Sequence, residues 1–336
     1  WHRSGSGVCC GVAFHRSSTK GLAPQKGLLG YSNVWGSKDT MRYAFWPGCV
    51  SRAGTPELYP AVTAVAAKVG MELVELDQAN CTGAGVLGER NDELVDTLNA
   101  RNFAIAEQQG LDTLLTICST CQGVMSGVNY KLRERPEYLA KINENLRAEG
   151  LEYKGGVRVT HMMWAMVEEI GLDELKTMVV NPLRGVKVAP FYGCYVLRPR
   201  YVLGFDEHPD RGQYLEKIIE TLGAEPIDYE GKWRCCGFPI MTINEPNGLR
   251  MVANHTQEAK DKGAHIMVTP CPLCHISLDE FQPKASNAAG RPINMPVLHL
   301  PQMIGSALGF NVKEMGLKRH IISTEPFIQI SGVSRG

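Results

Sequence analysis

The chain carries one ordered series of cysteine motifs twice, and this internal repeat constrains its fold more than any other feature. Each series begins with a short apolar and aromatic run ending in Gly-Cys, continues with a Cys-Thr-Gly or Cys-Cys-Gly corner, and closes with C-x-x-C. The copies are offset by about 150 residues, the size of one domain, which indicates two copies of one structural unit. The landmarks are Cys49, Cys81–Gly83 and Cys118–Cys121 in the first copy, and Cys194, Cys235–Gly237 and Cys271–Cys274 in the second.

Strand-like and helix-like segments alternate between the landmarks of both copies. Buried-strand patterns cover Arg42–Phe45 and Val186–Phe191, and each leads into the first Gly-Cys. The predicted helices are Pro56–Val69, Asp92–Gln109, Val124–Arg147, Gln213–Leu222 and Gly248–Lys262, and a longer loop is expected near Tyr201–Gly212. This order predicts an α/β fold of two pseudo-symmetric Rossmann-like domains with mostly parallel sheets and one cysteine-rich metal site each.

Size and charge narrow the class of protein. The chain has 336 residues, with 35 basic and 35 acidic side chains, which gives room for two medium domains. The balanced charge argues against a nucleic-acid partner, whose binding surface would be basic. No apolar stretch is long enough for a transmembrane helix, so membrane association is expected to be peripheral only. The predicted domains are 41–180 and 181–323, with an extension at 1–40 and a tail at 324–336.

The extension differs in composition from the remainder of the chain. Residues 1–38 contain no Asp or Glu but several Arg, Lys and Ser residues, a pattern typical of organellar transit peptides. A flexible extension or an expression remnant is the alternative interpretation. Cys9 and Cys10 lie here without a counterpart in the repeat, and no role is assigned to them.

The repeated cysteines indicate metal chemistry. Ligands of open α/β sheets bind beyond the carboxyl ends of the strands, so the cysteines of each copy are expected to converge there. Five thiolates exceed what tetrahedral zinc or an ordinary cubane needs, whereas four suit either centre. Aligning Gly83 with Gly237 puts Thr82 opposite Cys236. A redox dithiol or a disulfide framework is the alternative. The first-half set is Cys49, Cys81, Cys118 and Cys121, and the second-half set is Cys194, Cys235, Cys236, Cys271 and Cys274.

From Met41 to Ser323 the chain resembles the cysteine-rich family with the Cys-Cys-Gly signature. That family includes the cysteine-rich subunit of heterodisulfide reductase and a related subunit of type E succinate:quinone oxidoreductases. The resemblance implies that the second-half set binds a noncubane [4Fe-4S] cluster. Because Thr82 interrupts the first signature, the resemblance implies zinc or a conventional iron–sulfur cluster at the first-half set.

The function implied is an iron–sulfur electron-transfer subunit of a multi-subunit oxidoreductase, of the succinate:quinone reductase type found in respiratory chains. The expected partners are iron–sulfur and flavoprotein subunits of the same complex, with a quinone or a thiol/disulfide as acceptor. The expected location is the cytoplasm or the mitochondrial matrix, at the membrane surface. A heterodisulfide-reductase-like catalytic subunit and a structural zinc scaffold are the alternatives.

His275 is the candidate catalytic residue, since it directly follows Cys274. Its imidazole could tune the cluster by hydrogen bonding or transfer a proton near neutral pH. The alternative is a polar residue at the start of a helix.

Overall fold

The computed structural model describes residues 41–336. The extension 1–40, with Cys9 and Cys10, lies outside the described residues.

Two four-stranded, wholly parallel sheets organise residues 41–336, with one sheet from each copy of the repeat. Strand order is β2-β1-β3-β4 in the first sheet and β6-β5-β7-β8 in the second. The registers also correspond, because Ala44 pairs with Leu114 and the equivalent Ala189 pairs with Met267. The strands are β1 Met41–Trp46, β2 Met71–Glu75, β3 Thr113–Thr116, β4 Arg158–His161, β5 Lys187–Pro190, β6 Glu225–Pro226, β7 Ile266–Thr269 and β8 Val297–His299. The predicted pair of pseudo-symmetric Rossmann-like α/β units is confirmed.

Helices connect the strands in corresponding positions of both halves. The first half contains α1 Cys49–Ala53, α2 Leu58–Lys68, α3 Val86–Arg90, α4 Asp92–Gln108, α5 Ser119–Glu134, α6 Pro136–Leu146, α7 Met162–Ala165 and α8 Leu172–Thr177. The second half contains α9 Tyr214–Thr221, α10 Phe238–Met241, α11 Glu245–Asp261, α12 Pro272–Asp279, α13 Gln282–Ala288, α14 Leu300–Ala307 and α15 Glu325–Ser331. None of the helices within residues 41–336 combines the length and the apolar composition needed to cross a bilayer.

The ends of equivalent helices use the same local chemistry. Asn91 before α4 and Asn244 before α11 each accept a hydrogen bond from the backbone N–H three residues later, a standard N-cap. Gly70 and Gly223 end α2 and α9 with φ near +83°, the left-handed conformation that suits glycine after a helix. These local signals repeat because the two halves share one fold.

One predicted helix is corrected by the structure. The segment 124–147 is two helices, α5 and α6, and α5 begins at Ser119 inside the C-x-x-C motif. The break falls at Arg135, with φ −133° and ψ 81°, because a proline at the next position disfavours helical geometry in the residue before it. The expected longer loop of the second half consists of turns up to the 3₁₀ segment Pro209–Gln213.

The two halves pack through equivalent helices. Helix α2 of the first half contacts α14 of the second, and α9 of the second contacts α7 of the first. Since α2 and α9 each follow the first strand of their sheet, and α7 and α14 each follow the fourth, the interface is pseudo-symmetric. A continuous hydrophobic cluster crosses it and includes Val65, Met163, Leu215 and Met303. The two halves therefore share one core across their interface.

Candidate metal centre

The cysteines lie at the point where the strand order of each sheet reverses. The chain runs from β1 outward to β2 and then returns to place β3 on the other side of β1, and the second sheet does the same. Cys49 and Cys118 follow β1 and β3, while Cys194 and Cys271 follow β5 and β7. This reversal opens a crevice beyond the carboxyl ends of the two central strands, where α/β proteins bind their ligands.

The structure brings the five thiols of the second-half set into one connected group. Four of them are buried and Cys194 is half-buried. The hydrogen-bonding contacts join Cys194 to Cys235, Cys235 to Cys236, Cys236 to Cys274, and Cys274 to Cys271. Thiolate is the type of donor that iron–sulfur clusters and zinc require. Their role as ligands stays a prediction.

The first-half set has the same arrangement with one thiol replaced. Cys49 and Cys81 are in hydrogen-bonding contact and exposed, while Cys118 and Cys121 are in contact and buried. The fully buried Thr82 hydroxyl donates to Cys121 Sγ over 3.6 Å. In the second half, Cys236 makes the equivalent contact with Cys274. Thr82 therefore points into the first-half set from the place that Cys236 occupies in the second.

Left-handed glycines shape both sets. Gly83 and Gly237 close the Cys-Thr-Gly and Cys-Cys-Gly corners with φ of 71° and 89°. Gly48 and Gly193 precede the first cysteines with φ of 82° and 72°. A Cβ at position 193 would lie 2.8 Å from Cys274 Sγ, so glycine provides both the backbone conformation and the space for the sulfur.

Polar side chains on neighbouring helices hold the second corner. His255 of α11 hydrogen-bonds through Nε2 to the carbonyl oxygen of Cys235 over 3.0 Å. Ser277 of α12 donates to the carbonyl oxygen of Cys236 over 2.7 Å. In the first half, Asn99 of α4 donates to the carbonyl oxygen of Thr82 over 2.9 Å. Sequence reasoning missed these three residues, because nothing in their spacing marks them as neighbours of a cysteine.

One pair of equivalent cysteines, Cys81 and Cys235, has a lowered pKa in both sets. The hydrogen bond from Cys194 lowers the pKa of Cys235, with further lowering from Cys236 and the Gly237 N–H, against the effect of burial. In the same way, the hydrogen bond from Cys49 lowers the pKa of Cys81. Because the thiolate is the form that binds metals, each corner offers a preformed ligand.

The two sets meet across the interface between the halves. Cys118 is in hydrogen-bonding contact with Cys271, and Thr120 Oγ1 lies 3.5 Å from Cys271 Sγ. Burial raises the pKa of Cys271, but hydrogen bonds from Cys118, Cys274 and Thr120 outweigh it, so the net direction is down. The loop before Cys271 is also held from the first half, because Ser119 Oγ donates to the Pro270 carbonyl oxygen over 3.4 Å.

A buried histidine ends the fourth strand of each sheet. His161 pairs with Thr116 and His299 pairs with Thr269 in the parallel registers. His161 Nδ1 accepts the Met163 N–H over 3.0 Å, so its proton is on Nε2, which donates to the Pro270 carbonyl oxygen over 3.0 Å. Sequence reasoning did not pair these two histidines, because their equivalence depends on the register of the strands.

His275 lies in a buried cluster of histidines. Gln302 Oε1 accepts the His299 N–H, so Gln302 Nε2 donates to the carbonyl oxygen of Met315 and to His320 Nε2. His275 Nε2 lies 2.9 Å from His320 Nδ1 and 3.1 Å from the Val297 carbonyl oxygen. Burial, with His299 and His320 nearby, holds the pKa of His275 well below its ordinary value, so the ring is neutral at pH 7. Its catalytic role stays a prediction.

Ligand atoms of Glu57, His275 and His320 lie within 4.8 Å of one another, as in a metal site. The hydrogen bonds argue against an ion here. A metal at His320 Nδ1 would shift the ring proton to Nε2, which faces the amide N–H of Gln302 at 3.0 Å. Glu57 instead accepts from His299 Nε2 over 3.1 Å, so these residues form a hydrogen-bonded network.

Comparison with known proteins agrees with this architecture. The chain is 36% identical over 285 residues to the 8-methylmenaquinol:fumarate reductase membrane anchor subunit of Wolinella succinogenes, covering 83% of this chain and 96% of that protein. It is 30% identical over 301 residues to a subunit of the ferredoxin/F(420)H(2)-dependent CoB-CoM heterodisulfide reductase of Methanosarcina acetivorans, covering 88% of this chain and 99% of that protein. Both relatives are named as subunits of reductases.

A solved structure shares the fold. The crystal structure of a hypothetical protein from Helicobacter pylori superposes with a TM-score of 0.68 at 17% sequence identity. The match covers 85% of this chain and 53% of that one, so the chain spans about half the length of the solved protein. The cysteine-rich domain family matches residues 43–126 and 188–279, the two segments that contain the cysteine sets. Two such segments, together with relatives aligned over nearly their whole length, show that the chain belongs to the cysteine-rich domain family with the Cys-Cys-Gly signature.

Proposed function

We propose that the chain is an iron–sulfur electron-transfer subunit of a multi-subunit oxidoreductase of the quinone-linked succinate or fumarate reductase type. The observation that carries the proposal is the connected group of five thiols at the strand-order reversal of the second sheet. The resemblance to a quinol:fumarate reductase subunit supports the reaction class. The partners would be iron–sulfur and flavoprotein subunits, and the location would be the membrane surface facing the cytoplasm or the matrix.

The donor set fits the cofactor. The second-half set would hold a noncubane [4Fe-4S] cluster, and this cluster supplies one-electron transfer when bound. Burial of Cys235, Cys236, Cys271 and Cys274 excludes water from four of the five sulfurs. Half-buried Cys194 leaves one side open toward a partner or an acceptor. The Gly237 N–H donates to Cys235 Sγ over 3.5 Å, which stabilises negative charge on that sulfur.

The first-half set would hold zinc or a conventional iron–sulfur cluster. Its four thiols satisfy either centre, and the buried Thr82 hydroxyl stands where a fifth thiol would be needed. The predicted boundaries, 41–180 and 181–323, would then give each centre its own domain.

The test is metal analysis of protein purified without air. We expect iron and acid-labile sulfide in equal amounts, and an EPR signal from the second-half set after one-electron reduction with dithionite. Reconstitution into the native complex should give succinate- or fumarate-linked quinone turnover. Zinc without sulfide would contradict the proposal and favour the structural zinc scaffold.

A second function is favoured by the contact between Cys118 and Cys271, which joins the two sets. Paired sulfur sites suit thiol–disulfide chemistry, and one relative is a heterodisulfide reductase subunit. This alternative predicts that a thiol substrate changes the EPR spectrum of the isolated chain, whereas the electron-transfer function predicts no change.

A further inference from the structure

The first C-x-x-C motif makes side-chain hydrogen bonds to the loop that carries the second motif. Ser119 and Thr120, between the cysteines of the first C-x-x-C, both contact the second-half loop through their hydroxyl groups. The equivalent residues of the second motif are Pro272 and Leu273, whose side chains carry no hydrogen-bonding group. The first C-x-x-C motif therefore supplies side-chain hydrogen bonds to the second-half loop, and the corresponding side chains of the second motif cannot return them.

The contact of Thr120 reaches a sulfur atom itself. Its Oγ1 lies 3.5 Å from Cys271 Sγ, and the side chain is 9% exposed. A thiolate bound to a metal has no proton, so it can only accept, and the threonine O–H must be the donor. Hydrogen bonds to ligand sulfurs are one of the ways in which proteins set cluster reduction potentials.

We propose that Thr120 of the first half is a positioning residue that raises the reduction potential of the second-half cluster by donating its hydroxyl proton to Cys271 Sγ. The inference rests on the proposed function, in which Cys271 is a cluster ligand. One electron added to the cluster increases the negative charge on its sulfurs. A hydrogen bond to Cys271 therefore stabilises the reduced state more than the oxidised one.

The first half, which has Thr82 in place of a fifth cysteine, would then also help to set the reduction potential of the second-half cluster. Its own set can hold a simpler centre while its C-x-x-C helix supplies a donor to its neighbour. The fixed position of the donor supports this role, because Thr120 lies in the first turn of α5 and the adjacent Ser119 contacts Pro270. The hydroxyl is therefore held at Cys271 by the packing of the two halves.

The experiment is an anaerobic dithionite titration of the full chain, followed by EPR, with iron and sulfide measured for every variant. Thr120→Val removes the hydroxyl at nearly constant volume and should shift the midpoint potential to a more negative value. Thr120→Ser keeps the hydroxyl and should stay near the wild type. Thr160→Val is the matched control, because the buried Thr160 hydroxyl has no hydrogen-bond partner among the described residues. The midpoint potential of the cluster in this variant should equal that of the wild type.

The outcomes separate this inference from the proposed function. Wild-type protein without iron and sulfide would refute the proposed function. Two results would refute only the role of Thr120. In the first, Thr120→Val, Thr120→Ser and Thr160→Val retain iron at wild-type levels and share one midpoint potential. In the second, Thr120→Ser and Thr120→Val shift the potential equally. Thr120→Ala provides a second apolar variant with less bulk. If neither apolar variant retains iron, the hydroxyl serves assembly of the site, which also contradicts a role in setting the potential.

Discussion

A single residue distinguishes the two cysteine sets. Cys236 and Thr82 occupy equivalent places, and each contacts the last cysteine of its own C-x-x-C motif. Both side chains are buried, so neither is placed to serve an external contact. The difference between a five-thiol and a four-thiol site therefore reduces to one sulfur atom exchanged for a hydroxyl.

Cys236→Ser should remove the fifth thiol of the second-half set without changing the backbone. A hydroxyl oxygen is a poor ligand for soft metals, so we expect loss of the iron held by that set or a changed EPR spectrum. Thr82→Ser is the matched control at the equivalent position and should leave both readouts unchanged. Iron content and spectrum that match the wild type in Cys236→Ser would contradict the five-ligand assignment.

Thr82→Cys should test the reverse exchange. The new thiol would face Cys121, since the threonine hydroxyl already lies 3.6 Å from that sulfur. We expect the metal content or the spectrum of the first-half set to change toward that of the second. Thr82→Val removes the hydroxyl without adding sulfur and should not produce this change. If Thr82→Cys behaves like Thr82→Val, the local backbone excludes a fifth ligand.

At the scale of elements, the turns after the first strands create the space for sulfur. Gly193→Ala would place its Cβ 2.8 Å from Cys274 Sγ at φ +72°, so both the turn and the sulfur must shift. Gly70→Ala is the control, because φ is +83° but nothing lies within 4 Å of a Cβ there. Each left-handed alanine costs about 1–2 kcal/mol. Only Gly193→Ala should also lose iron, and equal iron in both variants would be the contrary result.

Elements were more predictable from the sequence than contacts between them. The strands before Cys49 and Cys194 were visible as apolar runs, and parallel pairing placed the cysteines at one edge. Pro136 marks the break between α5 and α6, although the apolar pattern continues past it. The contact between Thr120 and Cys271 joins residues 151 positions apart. It depends on how α2, α7, α9 and α14 pack, which no local pattern specifies.

At the scale of the whole molecule, the loop of the second half that ends in Pro209–Gln213 contacts the first half through a buried ion pair. Arg211 forms a two-pronged ion pair with Glu168 of the first half, at 2.7 and 2.8 Å. Its guanidinium carbon also lies 4.0 Å from the centre of the Trp164 ring. Both charged side chains are only 9% exposed, so water cannot replace either partner if the other is removed.

Arg211→Leu should destabilise the molecule, because the buried Glu168 carboxylate would lose its two-pronged partner and keep only His208, whose Nδ1 lies 3.6 Å from Glu168 Oε1. Breaking a buried pair in this way costs about 3–5 kcal/mol, so the midpoint of urea unfolding should fall strongly. Lys141→Ala is the control, because Lys141 and Glu93 form an exposed pair at 2.6 Å, which contributes about 0–1 kcal/mol. Equal midpoints in the two variants would show that the loop does not hold the halves together. A larger loss of EPR signal in Arg211→Leu than in Lys141→Ala would show that the ion pair between the halves also stabilises the cysteine sets at the interface.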